Sequence, residues 1–410
     1  MSAHPYTAAP RSGRPSARPQ GQGALVIGAE YRALGIARSL GRRGIPVEVL
    51  THGDDVLAAR SRYVRRSRPL PEAGAEQQVA FLLELGHGEL AGWTIFPSGD
   101  ETAALVARHH ALLSQCFVLT TPPWAVFRWA YDKRLTYRLA SSLELGAPRT
   151  WYPAEHGGVA SLDVRFPAIL KPTVKPTFNR LTAAKAWRVD SARELAVRYA
   201  EACELVPADD LVVQELVPGD GKDQFSYAAL CAEGRPLAEI VARRTRQYPP
   251  DFGRASTFVE SCSAPEIAAP ARSLLAEMRF DGLVEVEFKR HAETGRFLIL
   301  DVNPRAWGWH TLGAAAGVDF SYLAWRHANG LGVEFARGRP GERWVRLSTD
   351  VPTSLKEIAA GRLAARAYAR TLLGGVEGAI FARDDPVPGL LELPLLARML
   401  VRRVARGSPV

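Results

Sequence analysis

The stretch FLILDVNPR, from Phe297 to Arg305, begins as an apolar strand and ends in an acid, an amide, a proline and an arginine. Alternate residues of a strand share a face, so Asp301 and Asn303 project together while Leu300 and Val302 are expected in the core. Proline cannot continue the ladder, so the strand stops there and Arg305 is held just beyond the two oxygen-bearing side chains. Upstream, GLVEVEFKR alternates Val284, Val286 and Phe288 with Glu285 and Glu287, which makes one face apolar and the other acidic. HAETG at 291–295 has the chemistry of the turn that would join the two strands as a hairpin. Pairing of the acidic face with Asp301 and Asn303 would then gather three or four hard oxygen ligands. Such a set suits magnesium with a phosphate-bearing nucleotide better than an all-protein calcium cage.

The elements that must position these residues follow from the hydrophobic pattern. At 410 residues, two or three domains are expected. Residues 1–22, rich in Pro, Gly, Ser and Arg with no apolar core, read as a disordered tail. Over 23–121, ALVIG, PVEVL, WTIF and FVL alternate with helices near 32–43, 76–90 and 101–113, the grammar of a parallel sheet in a Rossmann-like α/β domain. GAEYRALG at 28–35 lacks G-x-G-x-x-G and reads as a structural turn. SGDE at 98–101 reads as a helix cap. Over 122–331, two helices (123–131 and 132–145) precede hairpins mixed with helices, the pattern of an α+β domain. Residues 332–410 read as an Arg-rich helical extension.

Composition narrows the classes. The formal charge of +9 is compatible with nucleic acid, an anionic surface or phosphate chemistry, and does not choose among them. No apolar run approaches the roughly 20 residues of a membrane span, and a cytoplasmic protein is expected. Cys116, Cys203, Cys231 and Cys262 lack C-x-x-C spacing and read as buried thiols rather than a zinc site or disulfides. Of 52 basic residues only seven are lysine: Lys133, Lys171, Lys175, Lys185, Lys222, Lys289 and Lys356. Where arginine serves almost everywhere, each lysine is informative, because a compact ammonium suits a phosphate contact. The segment ARRTRQYPPDFGRAST places Arg243, Arg244, Arg246 and Arg254 around a Gly-containing loop, a candidate mobile cover in which Arg243 and Arg254 would meet the substrate.

VEVEF followed by LDVNPR resembles the ATP-grasp superfamily of carboxylate ligases, whose acid or amide strand precedes E-x-N-P-R. The resemblance covers about 123–325, and a Rossmann-like domain commonly stands before that fold. It implies Glu287, Asp301 and Asn303 as magnesium ligands, for one ion or two with manganese as a substitute, and Arg305 on the transferred phosphate or the substrate carboxylate. Asp301 departs from the family's usual Glu by one methylene. Lys133 in YDKRLTYRLA matches the family's basic residue before the central domain, Lys171 in ILKP matches the strand lysine that reaches the ATP phosphates, and Lys185 of AKAWRV is a further candidate for the nucleotide site. VVQELVPG, with Gln214, Glu215, Leu216 and Val217, resembles the hinge at 214–219, where main chain at Leu216 and Val217 would read adenine; Asp223 would bind ribose. The loop after Lys171, PTVKPTFNR, lacks the family's glycines, and Lys175 and Arg180 would stand in for main-chain amides.

Trp307-Gly308 after N-P-R resembles a subgroup of carboxylate-amine ligases related to D-aspartate ligases. Trp307 and Trp309 would wall an acceptor pocket or fill core, and His310 would start a helix. The implied reaction uses ATP to convert a small-molecule carboxylate into an acyl phosphate that an amine attacks. The alternatives are a biotin-type carboxylase or a protein that keeps the fold for binding alone. No nucleic-acid partner is expected. Membrane contact through LLELPLLARMLVRRVARG is the lesser reading of the C-terminal helix, and a homodimer is left open.

Overall fold

A computed structural model describes residues 23–53, 55–72, 74–173, 186–248, 255–392 and 394, and the statements below concern those residues. The expected tail and most of the C-terminal helix lie outside them. The first domain runs β1 (Ala24–Ile27), α1 (Tyr31–Gly41), β2 (Val47–Thr51), β3 (Val64–Pro69), α2 (Ala75–His87), β4 (Thr94–Pro97), α3 (Asp100–Arg108), α4 (His110–Leu113) and β5 (Val118–Leu119). The strands are parallel in the order β3-β2-β1-β4-β5. Both faces of such a sheet are covered, which is why Ala24–Ile27 is a fully buried apolar run. β3, VRRSRP, is an addition to the expected set: its arginines and proline belong to a half-exposed edge strand and mask its pattern. The helix expected over 101–113 is two helices that meet at His109.

Helices α5 (Trp124–Tyr131) and α6 (Lys133–Ser142) lead into β6 (Thr150–Trp151), β7 (Ala168–Pro172), β8 (Trp187–Val189), α7 (Ala192–Cys203) and β9 (Leu211–Glu215). These strands form an antiparallel sheet in the order β6-β9-β7-β8. Then come β10 (Gln224–Ala232), β11 (Arg235–Tyr248), β12 (Ala255–Ser261), α8 (Pro265–Glu277), β13 (Gly282–Arg290), β14 (Phe297–Asn303), α9 (Leu312–Ala315) and α10 (Phe320–Ala328). The β10–β11 hairpin turns at Glu233 and Gly234, with φ of +50° and +84°. Gly234 is needed twice over, since a Cβ there would lie 2.6 Å from Ala276 Cα.

The larger sheet runs β14-β13-β10-β11-β12, and the alternation of β13 divides its surroundings. Val284, Val286 and Phe288 pack with Tyr227, Ala229 and α8. The opposite face, which carries Glu285 and Glu287, turns toward the core shared with α1 and Trp307. Trp307 is fully buried, with its ring 4.9 Å from Phe320, so it fills core.

Two further expectations are corrected, the first in the C-terminal region. Besides α11 (Leu347–Ala359) and α12 (Ala365–Leu372), it supplies β15 (Ala336–Arg337), β16 (Arg343–Val345) and β17 (Glu377–Gly378) to the same large sheet. Those strands are two or three residues long, too short for a period to be read. Cys203 is exposed, whereas Cys116 and Cys231 are buried. Among the described residues no helix is long and apolar enough to cross a membrane.

The chain then closes on its own beginning. Arg38 of α1 donates to Asp385 Oδ2 at 2.9 Å and to the Ile380 and Asp385 carbonyls, and the Ser61 hydroxyl and Arg62 N–H also donate to Asp385. The two charged side chains are 6% and 1% exposed. Burial alone would raise the Asp385 carboxyl, but the Ser61, Arg62 and Arg38 contacts hold it below its ordinary range. A depressed folded-state value stabilises the fold above the unfolded carboxylate value of about 3.9, and that contribution is lost as pH falls further. Amide exchange at 380–385 should therefore stay slow from neutral pH to about 5 and accelerate below about 4. Asp385→Asn should abolish that dependence and cost about 3–5 kcal/mol in urea unfolding, because it strands the Arg38 charge.

Candidate functional site

The β13–β14 ladder pairs Glu285 with Asn303 and Glu287 with Asp301, and its register shifts between Glu287 and Phe288. The shift makes Leu300 an extra residue that is half-buried, contrary to its expected core position. Its physical purpose is clear: without a bulge Ile299 and Asp301 would share a face. With it, Ile299 and Val302 both reach the core while Asp301 and Asn303 stay together opposite. Glu285, Glu287, Asp301 and Asn303 are only 3–7% exposed. Asn303 Nδ2 donates to Glu285 Oε2 and Glu287 Oε1, each at 2.9 Å, and Trp309 Nε1 donates to Glu285 Oε1 at 2.8 Å. Burial, and then the neighbouring Glu287 carboxylate, push the Glu285 carboxyl above its ordinary range.

Cations from other elements face this cluster. Asp132 caps α6, and Lys133 at its first position reaches Asp301 Oδ1 at 2.9 Å. One turn on, Tyr137 donates to the Leu300 carbonyl at 2.6 Å and accepts from Lys171 Nζ at 2.8 Å. Lys171 also donates to Gln214 Oε1 at 2.7 Å, and Gln214 Nε2 to Thr150 Oγ1 at 2.8 Å. Lys133 and Lys171, both buried, thus meet on either side of Tyr137. Sequence reading missed Tyr137, although its i+4 spacing from Lys133 was a usable signal.

The basic segment is corrected. ARRTRQY is the end of β11, and AST opens β12, so most of it is sheet rather than loop. Arg243 shares a row with Phe225 and Phe288, on the face opposite the carboxylates, where it is half-exposed and lies 3.8 Å from Glu260. Arg244 takes the place expected of it: buried, with Nη1 on Gln224 Oε1 at 2.7 Å, Nη2 3.4 Å from Glu287, and a buried Nε that has no partner among the described residues. Arg246 is bonded to Asp350 at 2.8 Å. Arg254, Lys175, Arg180 and Lys185 lie outside the described residues.

Arg305 is not open to solvent. Its Nε and Nη2 donate to the two oxygens of Asp100 at 3.0 and 2.8 Å, and Nη1 donates to the Ala306 carbonyl at 2.9 Å. In the SGDE run Gly99 is the cap, and Asp100 is the residue that reaches across to the second domain.

At the hinge, the Glu215 N–H donates to Arg149 O at 2.9 Å and the Leu216 N–H to Pro167 O at 3.3 Å. The Val217 carbonyl accepts from Lys289 Nζ at 2.8 Å. Asp223 ends a short helical turn, Gly221–Asp223, where it accepts from the Asp220 N–H and from Arg290. His310 is buried beside Gly35, its Nδ1 3.0 Å from Trp307 O, and burial lowers its basicity. A cavity of about 310 Å³ opens at the domain junction near His110, Asp281 and His327, and none of the residues above line it.

Among the described residues no three His, Cys, Asp or Glu side chains form a closed metal site. A divalent cation here would rest on Glu287, Asp301, the Asn303 amide oxygen and oxygens of its substrate. That all-oxygen, incomplete donor set fits magnesium, which keeps positions for phosphate and water. The ammonium of Lys133 already shows a cation accommodated against Asp301.

Residues 208–347, which run from β9 to β16, match the family described as "ATP-grasp in the biosynthetic pathway with Ter operon". No curated protein matches the chain. Among solved structures it is similar to an L-amino acid ligase from Bacillus licheniformis, at 16% identity and TM-score 0.56 over 76% of this chain and 75% of that one. It is also similar to an N5-carboxyaminoimidazole ribonucleotide synthetase in complex with ADP, at 14% and 0.60 over 83% and 85%. A third is the biotin carboxylase domain of a Hydrogenobacter thermophilus 2-oxoglutarate carboxylase with MgADP and bicarbonate, at 15% and 0.60 over 78% and 73%. The chain has the fold of these ATP-grasp structures, with a parallel α/β domain set before the ATP-grasp body.

Proposed function

We propose that the protein is an ATP- and magnesium-dependent ligase that activates a small-molecule carboxylate as an acyl phosphate and joins it to an amine. The observation that carries this reading is the buried set Glu287, Asp301 and Asn303 with Lys133 and Arg244 against it. The L-amino acid ligase among the similar structures supports the carbon–nitrogen product, and the complexes with ADP and MgADP support the nucleotide.

The reaction needs no protein nucleophile. A carboxylate oxygen bonds to the γ-phosphorus as the bond to ADP breaks. The amine nitrogen then bonds to the acyl carbon, inorganic phosphate leaves, and the nitrogen gives up a proton. Glu287, Asp301 and Asn303 would hold magnesium, which would supply charge neutralisation on the phosphates, and manganese would serve in the same donor set. Lys133 and Lys171 bring compact positive charge to the same side, while Arg244 and Arg305 offer planar donors to the transferred group and the substrate carboxylate. Burial of these groups strengthens each interaction by excluding water.

A screen of amino-acid and amine pairs, with bicarbonate included as a carboxylate, should reveal ADP release that requires magnesium. Asp301→Ala and Arg305→Ala should each reduce it by about 10²–10³-fold. Release that persists in both variants would displace the site from this hairpin.

Lys171→Met should weaken ATP binding in calorimetry by about ten- to a hundredfold, the loss of a charged hydrogen bond of about 1.5–3 kcal/mol. Circular dichroism of the variant serves as the control for folding. Unchanged affinity would remove Lys171 from the nucleotide site.

A further inference from the structure

Arg305 is fixed from two directions. Its main chain is set by β14, because the Arg305 N–H folds back onto the Asn303 carbonyl at 3.0 Å directly after the strand. Its side chain is set by the other domain, through a two-point ion pair with Asp100, 205 residues away in sequence. The pair is largely dry, at 8% exposure for Arg305 and 20% for Asp100. Asp100 stands in the first turn of α3, where the helix dipole favours a carboxylate, and α3 follows β4 at the switch point of the parallel sheet.

The geometry assigns the two edges of the guanidinium different tasks. Asp100 takes the side-on edge, Nε and Nη2, and the Ala306 carbonyl takes one hydrogen of Nη1. Of the five N–H donors this leaves one on each Nη for the oxygens of a carboxylate or phosphate. The side-on edge is therefore pinned by Asp100, which fixes the plane in which the remaining N–H groups lie.

We propose that Asp100 is a positioning residue for Arg305, contributed by the N-terminal domain, so that the reach of Arg305 toward its anionic ligand depends on how that domain is docked. The proposal rests on the ligase reading above. Asp100 makes no contact with the reacting atoms; it acts by holding the guanidinium plane. A misplacement of that plane by about 1 Å is enough to cost up to 10²-fold in rate.

The test uses the full chain, MgATP and the substrate pair with the fastest ADP release. Asp100→Ala should lower kcat about tenfold or more, with KM for ATP within about twofold of the parent. Asp100→Asn, which can keep one of the two bonds, should fall between them. On an Arg305→Ala background, Asp100→Ala should cause no further loss, since both act through one group. Thermal midpoints of all variants separate misfolding from misplacement. Unchanged kcat in Asp100→Ala, or losses that multiply in the double variant, would overturn the positioning role. A lower KM for the carboxylate at unchanged kcat would overturn it too, and would make Asp100 a competing counter-ion. If the parent released no ADP with any pair, the ligase reading itself would fall, and this role with it.

Discussion

Everything at the site depends on burying like charges together. Glu285 and Glu287 lie on one strand two residues apart, with Asp301 across the ladder, and all three are nearly inaccessible. Removing carboxylates from water costs several kcal/mol each unless counter-charges and hydrogen bonds compensate. The fold supplies those compensations from elements far apart in sequence: Lys133 from α6, Arg244 from β11, the Trp309 indole from the loop after β14, and the Asn303 amide between the two glutamates. A protein does not assemble so costly a cluster for stability, since apolar residues in the same places would do as well or better. A cluster of buried acids, with the Glu285 carboxyl raised by burial and by Glu287, marks a candidate site.

The second consequence is mechanical. Gln214, Lys171, Tyr137 and the Leu300 carbonyl form one hydrogen-bonded chain from the smaller sheet to the bulge of β14. The smaller sheet is thereby tied to the strand that carries Asp301. Leu300 is free to accept that bond because the bulge takes it out of the regular ladder.

The sequence made the hairpin, the acidic face and the parallel first domain legible because each rests on a strong local period. The alternation of valine and glutamate in β13 and the apolar runs of β1 and β4 need no tertiary knowledge. The bulge at Leu300 was not legible, because LILDVN satisfies simple alternation and only the need to bury Ile299 rules that out. Arg243 and Arg244 were indistinguishable in a run of arginines until the sheet fixed which residue faced the carboxylates. Asp100 was read as a cap since nothing local distinguishes a capping acid from one that reaches another domain. Of the short C-terminal strands, β16 forms on the edge that β12 offers, as the pairing of Val259 with Trp344 shows, while β15 adds to β11 and β17 to β16.

The closure of Asp385 on Arg38 has a bearing on synthesis. The two residues are 347 positions apart, so the first domain emerges from the ribosome with a guanidinium lodged in its helix and no counter-ion. At about 5–20 residues per second, roughly 17–70 s of translation separate the two residues. Throughout that interval Arg38 lacks the carboxylate and carbonyls that pair with it, and α1 reaches its final packing only when the segment around Asp385 has docked.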